Sequence, residues 1–106
     1  MRKITVLGST GSIGVSTLDV IGQLGGRDAF EVLALTGNGN IPLLVEQAMA
    51  SGARLAVTAS EDLYSELKSA LAGTGIRVAA GKSGLIEAAE MEASLVMAAI
   101  VGTAGL

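Results

Sequence analysis

Gly8-Ser9-Thr10-Gly11-Ser12-Ile13-Gly14 is the stretch whose reading decides the fold. It follows the apolar run Ile4-Thr5-Val6-Leu7 and leads into Val15-Ser16-Thr17-Leu18-Asp19-Val20-Ile21. A short strand is therefore expected to turn, through glycines and hydroxyl residues, into a helix. The first amides of a helix have no partner inside it, and the dipole adds partial positive charge there, so such a turn can hold a pyrophosphate without a basic side chain. The spacing is G-x-x-G-x-x-G, one residue longer between the first two glycines than the usual dinucleotide fingerprint. Glycines alone would be weak evidence; the strand before and the helix after supply the context the fingerprint needs. The plain alternative is a tight strand-to-helix turn that binds nothing.

Composition narrows the rest. The 106 residues are 50% hydrophobic but only 2% aromatic, with 15 glycines and one proline. Such a chain builds one core from Ala, Val, Ile and Leu, as a close-packed α/β sheet with tight turns does. A net charge of −3, with the basic residues scattered, leaves no footprint for nucleic acid or an anionic membrane, and both are excluded as primary partners. Without cysteine there is no disulfide framework or thiolate chemistry, and without histidine the commonest general base and metal ligand are gone. Met1-Arg2-Lys3 is basic, but the apolar run after it breaks at Gly8, too early for a signal peptide or a membrane span. A cytoplasmic protein is expected.

Strands and helices alternate along the chain. Strand one is expected over Lys3 to Leu7. Helix one follows from about Ser12, a possible cap, to Leu24, with Ile13, Thr17, Val20, Ile21 and Leu24 at helical spacing and Gly25-Gly26 as the stop. Phe30 to Leu35 reads as strand two. Helix two runs from about Ile41 to Ser51, with Pro42 in its first turn, Leu44, Val45, Ala48 and Met49 on one side, and Gly52 at its end. Arg54 to Thr58 is strand three. A third helix starts near Ser60-Glu61-Asp62 and carries Leu63, Leu67 and Leu71; Tyr64 within it reads as a packing residue rather than a catalytic one. Ile76 to Ala80 is strand four. Gly81-Lys82-Ser83-Gly84 invites a P-loop reading that fails, because Ile76 stands where the earlier glycine should be. A turn with Ser83 as cap and Lys82 in solvent is expected instead, then a short helix from Leu85 to about Met91 and a last strand from Ser94 to Gly102.

This pattern predicts an α/β fold: a Rossmann-like, doubly wound parallel sheet in three layers, α/β/α. The loop Thr36-Gly37-Asn38-Gly39-Asn40 falls where such a fold reads the adenosine ribose. An NAD site usually places a carboxylate here, yet no acid occurs from Val32 to Val45, which argues for NADP. The loop also lacks Arg and Lys, so Thr36, Asn38, Asn40 and loop amides would have to receive a 2′-phosphate; alternatively, Gly and Asn are there for backbone reasons alone. The chain shows no acid/base pair, no metal constellation and no activated nucleophile, so no catalytic or metal-ligating residue is assigned.

Leu7 to Val20, reading L-G-S-T-G-S-I-G-V-S-T-L-D-V, with Val45-Glu46-Gln47 and the segment Met97 to Leu106, resembles the amino-terminal domain of 1-deoxy-D-xylulose 5-phosphate reductoisomerases. The resemblance covers essentially the whole chain, although members of that family are much longer. It implies that residues 1–106 form an NADPH-binding Rossmann-type domain, truncated from a longer enzyme whose catalytic and carboxy-terminal domains are absent. Gly8, Thr10, Gly11, Ser12 and Ile13 would hold the NADPH phosphates. Gly37, Asn38 and Asn40 would surround the 2′-phosphate, with Gly39 where a basic residue is frequent, and Ala98, Ala99, Ile100 and Val101 would line the ribose and nicotinamide. The family further implies a divalent metal, Mn or Mg, held outside this chain, a phosphosugar substrate taken by absent domains, and a homodimer as the full-length enzyme. That enzyme converts 1-deoxy-D-xylulose 5-phosphate to 2-C-methyl-D-erythritol 4-phosphate in non-mevalonate isoprenoid biosynthesis; the fragment alone is expected to be inactive. Two other readings stay open. One is the cofactor domain of another G-x-x-G-x-x-G dehydrogenase, and the other is a non-enzymatic NAD(P)-sensing module.

Overall fold

The computed structural model describes residues 2–26, 29–90 and 95–98. Strands β1 (Arg2–Leu7), β2 (Phe30–Gly37), β3 (Leu55–Thr58), β4 (Arg77–Ala80) and β5 (Leu95–Ala98) alternate with helices α1 (Ser12–Gln23), α2 (Ile41–Ser51), α3 (Tyr64–Ala70, after a 3₁₀ turn at Glu61–Leu63) and α4 (Gly81–Glu90). All strand pairs are parallel and the sheet order is β4-β3-β2-β1-β5.

That order follows from the connections. From β1 to β4 the chain steps in one direction, and right-handed crossovers put α1, α2 and α3 on one face. Their apolar stripes meet the sheet there: Ile21 of α1, Ile41, Leu44 and Ala48 of α2, and Leu67 and Leu71 beside α3 close over Ile4, Val6, Val32 and Leu35. Helix α4 then carries the chain back over the other face, where Ala88 packs on Ala34, Leu55 and Val57. The result is a three-layer Rossmann-like sheet. Because β2 and β5 flank β1 and are reached in opposite directions, the strand order reverses at β1, and the crevice for a ligand lies beyond its carboxyl end.

Period-2 alternation sends Ile4 and Val6 to the three-helix face and Thr5 to the other. The register with β2 shifts between Ile4 and Thr5. Thr5 is fully buried, and among the described residues its Oγ1 has no hydrogen-bond partner.

Several expectations need correcting. Strand β2 runs on through Thr36 and Gly37, because both pair with β3, opposite Val57 and Thr58, and leave the loop only residues 38–40. Ser12 does not cap α1: Gly11 occupies the cap position and no side chain bonds there. Helix α4 begins at Gly81, so Gly81 to Gly84 is helix rather than turn and Ser83 is no cap. Val20, Leu24 and Met49 are 50%, 64% and 51% exposed. Val20 and Met49 each sit one residue, about 100° of helix, from the buried Ile21 and Ala48, and Leu24 is already past the last turn. Among the described residues no helix is long and apolar enough to cross a membrane.

Candidate functional site

The turn after β1 is built by spending some of its amides inward. Gly8, at φ 79°, reverses the chain in a conformation that side chains resist. Its N–H donates to Thr36 Oγ1 at 2.8 Å, and the Ser9 N–H donates to the Thr36 carbonyl at 2.7 Å, so the turn hangs on the end of β2. The Gly11 N–H closes back on the Gly8 carbonyl at 3.2 Å. Among the described residues the Thr10 N–H has no such partner.

Helix α1 presses directly onto this turn. A Cβ at Gly14 would stand 2.5 Å from Ser9 Cα and 2.6 Å from its carbonyl carbon, and closer still to the Gly8 oxygen, so only glycine fits. The helix end itself is bare: Gly11 offers no side chain and the first turn holds no acid. Ser12 and Ile13 are placed by their backbone as the first two helical residues. Uncapped amides and the dipole make this end a place for an anion that the protein does not itself supply.

The second loop sits beside the first. A Cβ on Gly37 would come within 2.9 Å of Thr10 Oγ1 and 3.0 Å of its Cγ2, so the Thr10 side chain lies across that glycine. Asn38, Gly39 and Asn40 are exposed. The Asn40 carboxamide is already employed on one side: Oδ1 accepts from the Leu43 N–H at 3.3 Å and caps α2, while its NH₂ has no partner among the described residues. Ala98 ends β5 directly opposite Leu7, beside the turn. Ala99, Ile100 and Val101 lie outside the described residues.

Sequence reading missed the residues beneath these loops. Ser9 is fully buried; its Oγ donates to Gln47 Oε1 at 2.8 Å, and Gln47 Nε2 donates back to the Ser9 carbonyl at 2.8 Å. Thr58, also fully buried, donates from Oγ1 to the Asn38 carbonyl at 2.6 Å. A signal for Gln47 was present: it is the one amide on the stripe of Ile41, Leu44 and Ala48. Lys68 follows Tyr64 by four residues, and its ammonium stands 5.7 Å from the ring centroid, a packing contact on α3 with β3 and β2 between it and β1. Among the described residues no three His, Cys, Asp or Glu side chains converge as a metal site.

A parallel sheet whose order reverses at β1, with a bare helix end over that reversal, defines a Rossmann-like domain of the dinucleotide-binding class. Comparison with known proteins makes the assignment particular. The sequence model for 1-deoxy-D-xylulose 5-phosphate reductoisomerase matches residues 4–106, and the chain belongs to that family. The reductoisomerase of Rhizobium meliloti (strain 1021) is 73% identical over 105 residues, 99% of this chain and 27% of that protein. That of Agrobacterium fabrum is 70% identical, over 99% and 26%. The solved reductoisomerase from Zymomonas mobilis in complex with NADPH superposes with a TM-score of 0.89 at 50% identity, over 95% of this chain and 26% of that one. Another, in complex with NADPH, fosmidomycin and magnesium, gives 0.85 at 35% identity, over 96% and 25%. The chain thus spans about a quarter of the length of the relatives it matches.

Proposed function

We propose that residues 1–106 are the NADPH-binding domain of a reductoisomerase that turns 1-deoxy-D-xylulose 5-phosphate into 2-C-methyl-D-erythritol 4-phosphate. The observation that carries this reading is the bare amino end of α1, pressed by Gly14 onto the Gly8 turn at the reversal of strand order. The diphosphate falls to Gly8, Thr10, Gly11, Ser12 and Ile13. Gly37, Asn38 and Asn40 take the 2′-phosphate end, through amides and carboxamide NH₂ rather than basic side chains. Ala98, Ala99 and Ile100 take the ribose and nicotinamide end.

When bound, NADPH supplies hydride; this chain's part is to hold it and orient it. The lack of an acid in the described first turn of α1, and of any acid from Val32 to Val45, fits a polyanionic cofactor, since a carboxylate at either place would repel it. Catalysis belongs to the rest of the protein, where a divalent cation and the phosphosugar bind. Solved reductoisomerases in complex with magnesium support a metal in the complete enzyme. Assembly as a homodimer and a cytoplasmic location complete the proposal.

Isothermal calorimetry on the chain tests it. NADPH is expected to bind at a single site, while the chain alone yields no product in a coupled assay. Absence of NADPH binding here, when a full-length reductoisomerase carrying these residues does bind it, would overturn the claim that they capture the cofactor.

A further inference from the structure

We propose that Gln47 and Thr58 are positioning residues for two different parts of the cofactor, each pinning one loop carbonyl inward and so turning the next amide toward the crevice. The inference rests on the NADPH reading above and asks what sets the direction of the binding amides.

Gln47 lies on the inner stripe of α2, 9% exposed, where its neighbours are Ile41, Leu44 and Ala48. An apolar residue would fill that position without burying an amide, so the carboxamide is there for its bonds. Both of them go to Ser9: Nε2 donates to its carbonyl and Oε1 accepts from its hydroxyl, each at 2.8 Å. Two bonds to one residue fix the rotation of the Ser9–Thr10 peptide. No peptide among the described residues is cis, and in a trans peptide the carbonyl and the following N–H point in opposite directions. With the Ser9 carbonyl held toward α2, the Thr10 N–H points away from it. That is the turn amide without an internal partner among the described residues.

Thr58 repeats the arrangement one strand over. Its hydroxyl, fully buried at the end of β3, donates to the Asn38 carbonyl at 2.6 Å and accepts from the Ser60 N–H at 3.2 Å. The Gly39 N–H, on the far side of the same peptide plane, is directed outward from an exposed residue with nothing within 4 Å of where a Cβ would stand. The pinned peptides serve different chemistry. The first turn faces the diphosphate, which NADPH and NADH share; the second loop faces the 2′-phosphate, which only NADPH carries.

The two substitutions should therefore fail differently. Gln47→Met keeps the volume and removes both bonds to Ser9; it is expected to weaken NADPH and NADH binding alike, by about tenfold for one misdirected charge-assisted hydrogen bond, leaving their ratio unchanged. Thr58→Val keeps the shape and removes the hydroxyl; it is expected to weaken NADPH by about tenfold and NADH by less than about twofold, a split that loss of packing would not produce. Calorimetry with both nucleotides reads these values. Amide-resolved NMR of the unmodified chain gives a second readout that needs no variant to fold: the Thr10 amide should shift with either nucleotide and the Gly39 amide with NADPH far more than NADH. Unchanged affinities in both variants, equal losses for the two nucleotides in Thr58→Val, or silence of both amides while NADPH binds would overturn the assignment and leave the NADPH reading standing. If the unmodified chain binds neither nucleotide, that reading falls and takes this one with it.

Discussion

Two helices in this chain start from glycine close behind a strand, and the fold finishes their ends in opposite ways. At α1, Gly11 provides the cap, no side chain bonds to it, and the first turn carries no acid. At α4, the space a Gly81 side chain would occupy holds the Glu61 carboxylate, whose Oε2 lies 2.5 Å from where a Cβ would stand. Both ends carry the same dipole and the same class of unpaired amides. The two ends thus differ in whether the protein places a carboxylate of its own beside the helix start. Glu61 supplies one at α4. The end of α1 has none, and it stands at the reversal of the sheet, where a dinucleotide would meet it.

The most severe way to break the comparison is to push α1 off its turn. Gly14→Ala places a methyl group against Ser9 Cα and its carbonyl carbon, backbone atoms that cannot step aside. The expected cost is about 3 kcal/mol of stability in urea unfolding, together with loss of measurable NADPH binding. The same change at Gly11 would meet only the Gly8 oxygen, at 3.6 Å, and should be mild.

A sharper test makes α1 resemble α4. Gly11 has φ −77° and ψ 169°, which any residue accepts, at the position where aspartate caps a helix well. Gly11→Asp should raise the stability of the free chain by about 0.5 kcal/mol, through the cap and the dipole. It should also weaken NADPH by about tenfold or more, because the new carboxylate stands where the diphosphate would sit. Opposite signs from one substitution, read by thermal melting and calorimetry, separate this account from simple damage. A Gly11→Asp chain that gained stability and kept its NADPH affinity would show that the bare end is not where the cofactor is held.

How much of this could be read without coordinates depends on the kind of interaction. Element order and the parallel sheet were legible because hydrophobic period and glycine punctuation are local signals; Phe30 to Leu35 and Ile41 to Ser51 declare themselves. The Gly8 to Gly14 turn was legible for the same reason. What stayed hidden joins residues far apart in sequence. Ser9 and Gln47 are 38 residues apart, and Asn38 and Thr58 are 20 apart. Nothing local marks such pairs except a polar residue on an apolar stripe. Glu61 beside Gly81 is the same case, a neighbour 20 residues away that no local pattern marks. A glycine start with its anion 20 residues upstream cannot be told from a loop by spacing. The threonines follow this rule as well. Thr36 and Thr58, at the carboxyl ends of their strands, bond to neighbouring loops, whereas Thr5, buried one strand away, has no such partner among the described residues.

The smallest expected effect comes from opening the α4 end. Glu61→Gln preserves size and removes the charge, so the dipole at Gly81 loses its counterpart while the packing stays. The expected change is a loss of about 0.5 kcal/mol, the usual worth of one exposed charge at a helix end, or a fall of about 3 °C in melting temperature. NADPH affinity should not move, because α4 covers the sheet face opposite α1. Nor should the opened end acquire the cofactor. A dipole without pinned, outward-facing amides and without the reversal of strand order is a weak and undirected attraction, screened by salt. If Glu61→Gln created a second NADPH site, helix ends alone would suffice for binding, and the Gly8 turn would owe its role to being vacant rather than to how its peptides are aimed.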